Sequence, residues 1–293
     1  MNDEEMIFDL IGVDAPIANA LRRVLISEVP TLAIENVYII ENSSIIQDEV
    51  LAHRLGLIPI KADPRWFEYL PADGELTDKN TLEFTLKVKC EKKKDYKESY
   101  PDHLKYEHSK VYSGDMVWVP HGVQADEFVG ENAIKPVHDD ILIAKLRPGQ
   151  EIDLSARCCK GIGKDHAKFS PVATATYRLL PEVTIIGDLT GDKADALVKK
   201  CPMNVFDIED LGGKKKAKVV NPRNCSMCRE CIREVGWDKL VKLRRKKDHF
   251  IFHIESTQIL PPKILFEEAV KKLLEKIETL RVELQKLATP GDE

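Results

Sequence analysis

Cys225-Ser226-Met227-Cys228-Arg229-Glu230-Cys231 sets three thiols at intervals of three residues. Thiolates are soft ligands, and a C-x2-C-x2-C run is a known way to deliver three of them to one iron–sulfur cluster, the fourth thiolate being a Cys-Pro from elsewhere in the chain. The local fourth position is Val235, so the run cannot close on itself. Cys201-Pro202 lies upstream and has the required form. Cys201, Cys225, Cys228 and Cys231 together suit a 4Fe–4S cluster. Zinc and no metal are the alternatives, although zinc is more often held by two C-x2-C pairs.

The remaining chemistry-bearing residues point elsewhere. Cys158 and Cys159 are adjacent, so in a strand one turns away from the other, and Cys90 stands alone. Gly161-Ile162-Gly163 lacks the third glycine of a dinucleotide fingerprint, His166 standing in its place, and no phosphate loop follows. His53, four residues after Glu49, reads as a surface or capping residue. No set of residues reads as catalytic.

Charge is unevenly spread. Residues 214–247 hold 13 Lys/Arg against three Asp/Glu, a local excess of ten in a chain of net charge −5. Such a stretch reads as a separate module, and its bases offset the negative charge of a thiolate-bound cluster. Arg244-Arg245-Lys246-Lys247 reads as a solvated flank, with nuclear import or a protein contact as the functional alternative. Net acidity and 6% aromatic residues argue against sequence-specific nucleic-acid binding. No apolar run reaches membrane-spanning length, and the acidic start, Met1-Asn2-Asp3-Glu4-Glu5, is no secretory signal. With 293 residues, 43% of them hydrophobic, the chain can bury one large core or two modest ones.

These residues need elements to position them. A helix is predicted from Asp14 as N-cap, with Ile17, Leu21, Val24 and Leu25 on one face, until Pro30 ends the pattern. Val37–Ile40 reads as a strand. Leu82, Phe84, Leu86 and Val88 alternate with polar residues, as a half-buried strand requires. Residues 91–115 read as a surface excursion, Ile141–Leu146 ends at a Pro148-Gly149 turn, and Val172–Leu180, Val183–Ile186 and His249–Glu255 read as extended. At the end, Phe266, Val270, Leu273, Ile277, Leu280, Leu284 and Leu287 repeat at alternating spacings of four and three, between Pro261-Pro262 and Pro290-Gly291. That is a heptad seam. It fits a helix lying on its own sheet, or a helix whose seam is shared with another chain. A β-rich middle between helices makes the class α+β.

Phe8 through Pro30, including Asp14-Ala15-Pro16-Ile17-Ala18-Asn19-Ala20-Leu21-Arg22-Arg23, resembles the alpha motif of RNA polymerase assembly subunits. The resemblance continues through Gln47–Pro59, Leu146–Ile152, Gly161–Pro171, His249–Thr257 and the last helix. The chain is similar to the larger alpha-like subunits shared by eukaryotic RNA polymerases I and III, with the larger alpha-like subunit of archaeal RNA polymerase as a close relative.

The resemblance implies an alpha-like dimerisation domain (residues 1–39, 183–199 and 240–293), an inserted β-rich domain (40–182) and a small ferredoxin-like cluster subdomain (200–239). Cys201, Cys225, Cys228 and Cys231 match the ligand positions of the archaeal relatives. The polymerase II counterpart carries a zinc-binding cysteine loop in its inserted domain, but here the stretch corresponding to that loop offers only Cys90, with Cys158 and Cys159 lying later in the domain, so no zinc is expected there. The implied function is a non-catalytic assembly subunit, in a nuclear complex serving rRNA, tRNA and 5S RNA synthesis. It pairs with the small alpha-like subunit and docks the large catalytic subunits. The expected interface is Ile17, Leu21, Val24, Leu25, Phe266, Val270, Leu273, Ile277, Leu280 and Leu284. The alternatives are the archaeal RNA polymerase counterpart and an iron–sulfur electron-transfer subunit. Only about seven residues precede Phe8, which leaves little chain for a strand ahead of the motif.

Overall fold

The computed structural model describes residues 4–71, 74–93 and 105–288. Its principal strands are β1 (Glu5–Ile11), β2 (Thr31–Asn42), β3 (Leu82–Lys89), β4 (Val117–Val119), β5 (Glu151–Gly161), β6 (Val172–Ile185), β7 (Phe206–Leu211), β8 (Lys214–Val219) and β9 (Val241–Ser256). Its main helices are α1 (Ala15–Ser27), α2 (Asp48–Gly56), α3 (Asp192–Lys200) and α4 (Pro262–Ala288). The chain divides into two compact units. One comprises Met1–Met6, Leu21–Ala175 and Ile254–Glu293, and the other Ile7–Ala20 and Thr176–His253.

The first unit is organised by a four-stranded sheet in the order β2-β5-β3-β4, antiparallel throughout. β5 is central, with Ala156 opposite both Val37 and Phe84. The alternation read from Leu82 to Val88 is realised: all four apolar residues are buried and the residues between them are not. They share a core with Ile34, Leu154 and the inward face of α2, Leu51 and Leu55. Cys158 enters that core while its neighbour Cys159 is only half-buried. Gly161 and Gly163 serve packing. A Cβ at Gly161 would lie 2.6 Å from the Phe169 ring, and one at Gly163 would overlap the Ile26 carbonyl.

Several sequence expectations change here. Residues 105–115 of the expected excursion return to the core, where Val111 and Ser113 are wholly buried; residues 94–104 lie outside the described residues. The two extended runs around Pro181 are one strand, β6. Pro181 is buried within it, and β6 lies at the edge of its sheet, where a missing N–H breaks no ladder. The expected domain divisions at residues 39 and 182 therefore both fall inside continuous strands. A first strand does exist: β1 begins at Glu5 and includes the start of the alpha motif. Pro290-Gly291 lies outside the described residues.

The second unit contains most of a three-stranded sheet, order β1-β9-β6. Phe250 and Phe252 of β9 are fully buried, with Phe8, Tyr177 and Ala18 packed on them. The Phe8 and Phe252 rings stack at 5.3 Å. Beside this lies a hairpin of β7 and β8, turned by Gly212 and Gly213 at φ 65° and 88°. Positive φ at both central residues suits a tight hairpin, and glycine adopts it without strain. α3 buries Ala194 and Leu197 in a second small core with Val205, Phe206, Ala217 and Val241. No helix among the described residues is long and apolar enough to cross a membrane.

Candidate functional site

α4 changes character along its length. Near its start, Leu265 and Ala269 are fully buried, and Phe266, Val270 and Leu273 are half-buried. From Leu274 to Leu287 every residue is exposed, including Leu274, Ile277, Leu280, Val282, Leu284 and Leu287. The polar residues around this stripe are held locally: Lys272 reaches Glu275 and Lys286 reaches Glu283, each at 2.7 Å. Lys276 reaches Glu28 at the end of α1, also at 2.7 Å. The second half of α4 thus presents a long apolar stripe to solvent. The heptad reading found that stripe but missed Leu265 and Ala269. These fall outside a strict seven-residue seam and lie on the wider face that a helix packing in its own domain uses.

The stripe on α1 divides differently. Leu21, Val24 and Leu25 are buried within the chain, and Ile17 is 50% exposed. Among the four α1 residues expected at an interface, Ile17 alone stands well out in solvent.

The second candidate site is the cysteine loop. Cys201 follows the end of α3, Cys225 and Cys228 lie between the short 3-10 turns Pro222–Asn224 and Glu230–Ile232, and Cys231 lies within the second of them, ahead of β9. All four line one cavity of about 10 Å³, together with Met203, Val205, Phe206 and Leu243. The loop turns back on itself through Met227 and Arg229, both in the left-handed region at φ 61° and 65°. Cys225 and Cys231 are buried, Cys201 is half-buried and Cys228 is exposed. Among the described residues no group of three or more His, Cys, Asp or Glu is drawn about a single ion position.

The electrostatics of the loop follow from this crowding. Burial, and then the proximity of Cys225, Cys201 and Cys228, push the Cys231 thiol up to about 11. At neutral pH Cys231 is therefore a neutral thiol, and a crowded set of cysteines gives up its protons together only to a bound cation. The donor set suits an iron–sulfur cluster in residue type alone: four cysteines line one cavity with no carboxylate or imidazole beside them among the described residues, but their thiols are not drawn about a single ion position.

The other cysteines are remote from such chemistry. Cys158 is fully buried and its thiol is raised by desolvation, and Cys90 is buried with its N–H donating to the Gln150 carbonyl at 2.9 Å. His53 is exposed on the last turn of α2, with its ring 6.0 Å from that of His166.

The chain from residue 7 to 277 matches the family model of the RNA polymerase Rpb3/Rpb11 dimerisation domain. It is 52% identical to DNA-directed RNA polymerases I and III subunit RPAC1 of Homo sapiens over 278 residues, 94% of this chain and 80% of that one. It is 44% identical to the subunit of the same name from Saccharomyces cerevisiae over 286 residues, 96% of this chain and 84% of that one. A more distant relative is DNA-directed RNA polymerases II, IV and V subunit 3 of Arabidopsis thaliana, 34% identical over 295 residues, 96% of this chain and 88% of that one. The resemblance read from the alpha motif is borne out, and neither the archaeal nor the electron-transfer alternative finds support in these relatives. The chain belongs to the RNA polymerase Rpb3/Rpb11 dimerisation-domain family.

Proposed function

We propose that the chain is a non-catalytic assembly subunit of RNA polymerases I and III, in the nucleolus and nucleoplasm. In this reading it pairs with the small alpha-like subunit, and the pair docks the large catalytic subunits. The observation that carries it is the exposed second half of α4. Left in water, Leu274, Ile277, Leu280, Leu284 and Leu287 form an apolar patch of the kind that marks an interaction site. A partner helix with its own heptad seam covers it, each leucine-sized side chain contributing about 1.5–3 kcal/mol on burial. The half-buried Phe266, Val270 and Leu273 extend the contact. The family and the polymerase I and III relatives support the choice of partner.

In the same reading, Cys201, Cys225, Cys228 and Cys231 hold a 4Fe–4S cluster. The cluster supplies cross-linking of the loop to α3, and its role is structural. What the chain contributes is the set of thiols, the turns at Met227 and Arg229 and the small core beneath them. The division into a dimerisation domain, an inserted β-rich domain and a cluster subdomain belongs to the same proposal, its limits adjusted to the ends of β2 and β6.

Affinity purification of a tagged copy tests the assembly role. The small alpha-like subunit and the large subunits of polymerases I and III are expected in stoichiometric amounts. Their absence from a soluble, folded preparation would overturn it.

A further inference from the structure

A groove of about 530 Å³ runs beside the cysteine loop in the second unit, within the size range of concave ligand sites, about 300–1,000 Å³. Its apolar walls are Leu179 and Pro181 of β6, Met203 after α3, and Met227 of the loop. Two guanidinium groups stand on it, Arg178 from β6 and Arg245 from β9. Arg178 is positioned by donating from Nη1 to the Arg223 carbonyl at 2.7 Å, its other N–H groups having no partner among the described residues. Arg245 is exposed and continues into Arg244, Lys246 and Lys247, all exposed. None of these four has an ion-pair partner among the described residues, although the basic hairpin nearby does: Lys218 pairs with Glu209 and Lys216 with Asp188.

We infer that this groove docks an extended acidic segment of a partner protein, one in which carboxylates alternate with apolar side chains. The inference is independent of the α4 pairing, while Met203, Cys225 and Ser226 line both this groove and the cysteine cavity, so the shape of the groove rests on the fold of the cysteine loop. Charge sets the sign of the occupant, because Arg178 and Arg245 stand on the groove, and Arg244, Lys246 and Lys247 of the same strand as Arg245 add to the local positive potential that an acidic chain neutralises. The walls set its class. Nucleobases are held chiefly by stacking on aromatic rings, and among the described residues Tyr177 is the one aromatic that lines the groove, whereas the aliphatic and thioether walls of Leu179, Pro181, Met203 and Met227 suit the apolar side chains of a peptide. Flexible methionine side chains adapt to apolar partners of varied shape. The planar guanidinium forks of Arg178 and Arg245 match carboxylates in two-pronged geometry.

The test is fluorescence anisotropy on the full chain with labelled probes of equal length: an alternating Asp-Leu peptide, an alternating Asp-Ser peptide and oligothymidylate. The Asp-Leu peptide is expected to bind tightest. Arg245→Glu and Arg178→Glu should each weaken it about tenfold, the usual scale for one lost charge-assisted contact. Lys242→Glu makes the same charge change at an exposed site on β9 outside the groove, and should change affinity less than about twofold once salt screens the distant field. Thermal midpoints confirm that each variant is folded. Should Arg178→Glu lose its anchor on Arg223 and unfold, Arg245→Glu carries the comparison alone. Equal binding of the Asp-Ser peptide, tighter binding of oligothymidylate, or an Arg245→Glu effect no larger than that of Lys242→Glu would each overturn the inference.

Discussion

Arg223 grips Asp9 with both arms of its guanidinium: Nη1 lies 2.8 Å from Oδ2 and Nη2 lies 2.8 Å from Oδ1. His249 Nε2 sits 2.9 Å from the same Oδ2. Asp9 belongs to β1 and Arg223 lies two residues ahead of Cys225, so the contact ties the first strand to the root of the cysteine loop. The Arg223 hydrogen bonds, and then that of His249, lower the Asp9 carboxyl to about 2.

The sign of the pH effect follows. A carboxylate with a depressed folded pKa contributes stability that is complete above its ordinary value near 4 and lost as pH falls through about 2. Asp9→Asn should cost no more than about 1 kcal/mol at neutral pH, since the pair is partly exposed. Urea unfolding of both proteins from pH 7 to pH 2 checks this. The two curves should stay parallel down to about pH 4 and then converge. A constant offset at all pH values would show that Asp9 acts through its shape and not its charge.

The cysteine loop yields a second expectation. Protein prepared without oxygen should carry iron and sulfide in equal amounts, with visible absorption. Cys231→Ser should lose both and should raise the exchange of backbone amides from residue 200 to residue 239, because metal binding is folding free energy for so small a core. Cys90→Ser, in a different core, should retain full iron. One equivalent of zinc and no iron would leave the iron–sulfur assignment without a foundation.

How much of this was legible beforehand depends on the range of the forces. Period-two alternation placed Leu82, Phe84, Leu86 and Val88 on the buried face, because that pattern follows from strand geometry alone. The seam on α4 was legible for the same reason. The inward residues Leu265 and Ala269 were not, since their burial depends on which elements fold onto them. Pro181 misled because proline breaks a central strand, and nothing local reveals that β6 is at an edge. Val111 was hidden in a polar stretch and is buried through pairing with Ala144, a contact that only the folded chain makes. The four cysteines were legible by spacing. Their neighbours in the cavity, Val205, Phe206 and Leu243, come from separate places in the chain and were not.

Gly163 offers a test of close packing. Its Lys164 neighbour donates to the Ser27 carbonyl at 2.8 Å, which holds the turn against the end of α1. A Cβ on Gly163 would overlap the Ile26 carbonyl, and backbone cannot swing aside as a side chain can. Gly163→Ala should therefore cost about 1–3 kcal/mol, the range for overpacking, while Gly149→Ala should act through its φ of 90° and not through space. Thermal unfolding of both variants measures the costs. A crystal structure of the Gly163 variant should show the turn displaced from Ile26. An unmoved turn with unchanged stability would contradict the packing described.

If α4 carries the proposed pairing, it separates stability from assembly. Leu280 is 61% exposed and Leu284 is 56% exposed, so neither supports the isolated chain. Leu280→Asp and Leu284→Asp should leave its unfolding midpoint unchanged, or raise its solubility. In the pair, each would bury a carboxylate in an apolar seam at a cost of several kcal/mol. Coexpression with the small alpha-like subunit should then fail to give a complex. Phe84→Ala should behave in the opposite way. It removes a fully buried ring from the core of the first unit and should cost about 3–5 kcal/mol, yet surviving folded protein should still pair. Reversing the charge of Arg281, exposed on the same half of α4 but off the seam, should affect neither property. Sedimentation velocity on the coexpressed proteins, beside urea unfolding of the single chain, reads both quantities. If Leu280→Asp lowers the midpoint of the single chain as much as it weakens the pair, the second half of α4 packs within its own chain and is not the partner surface.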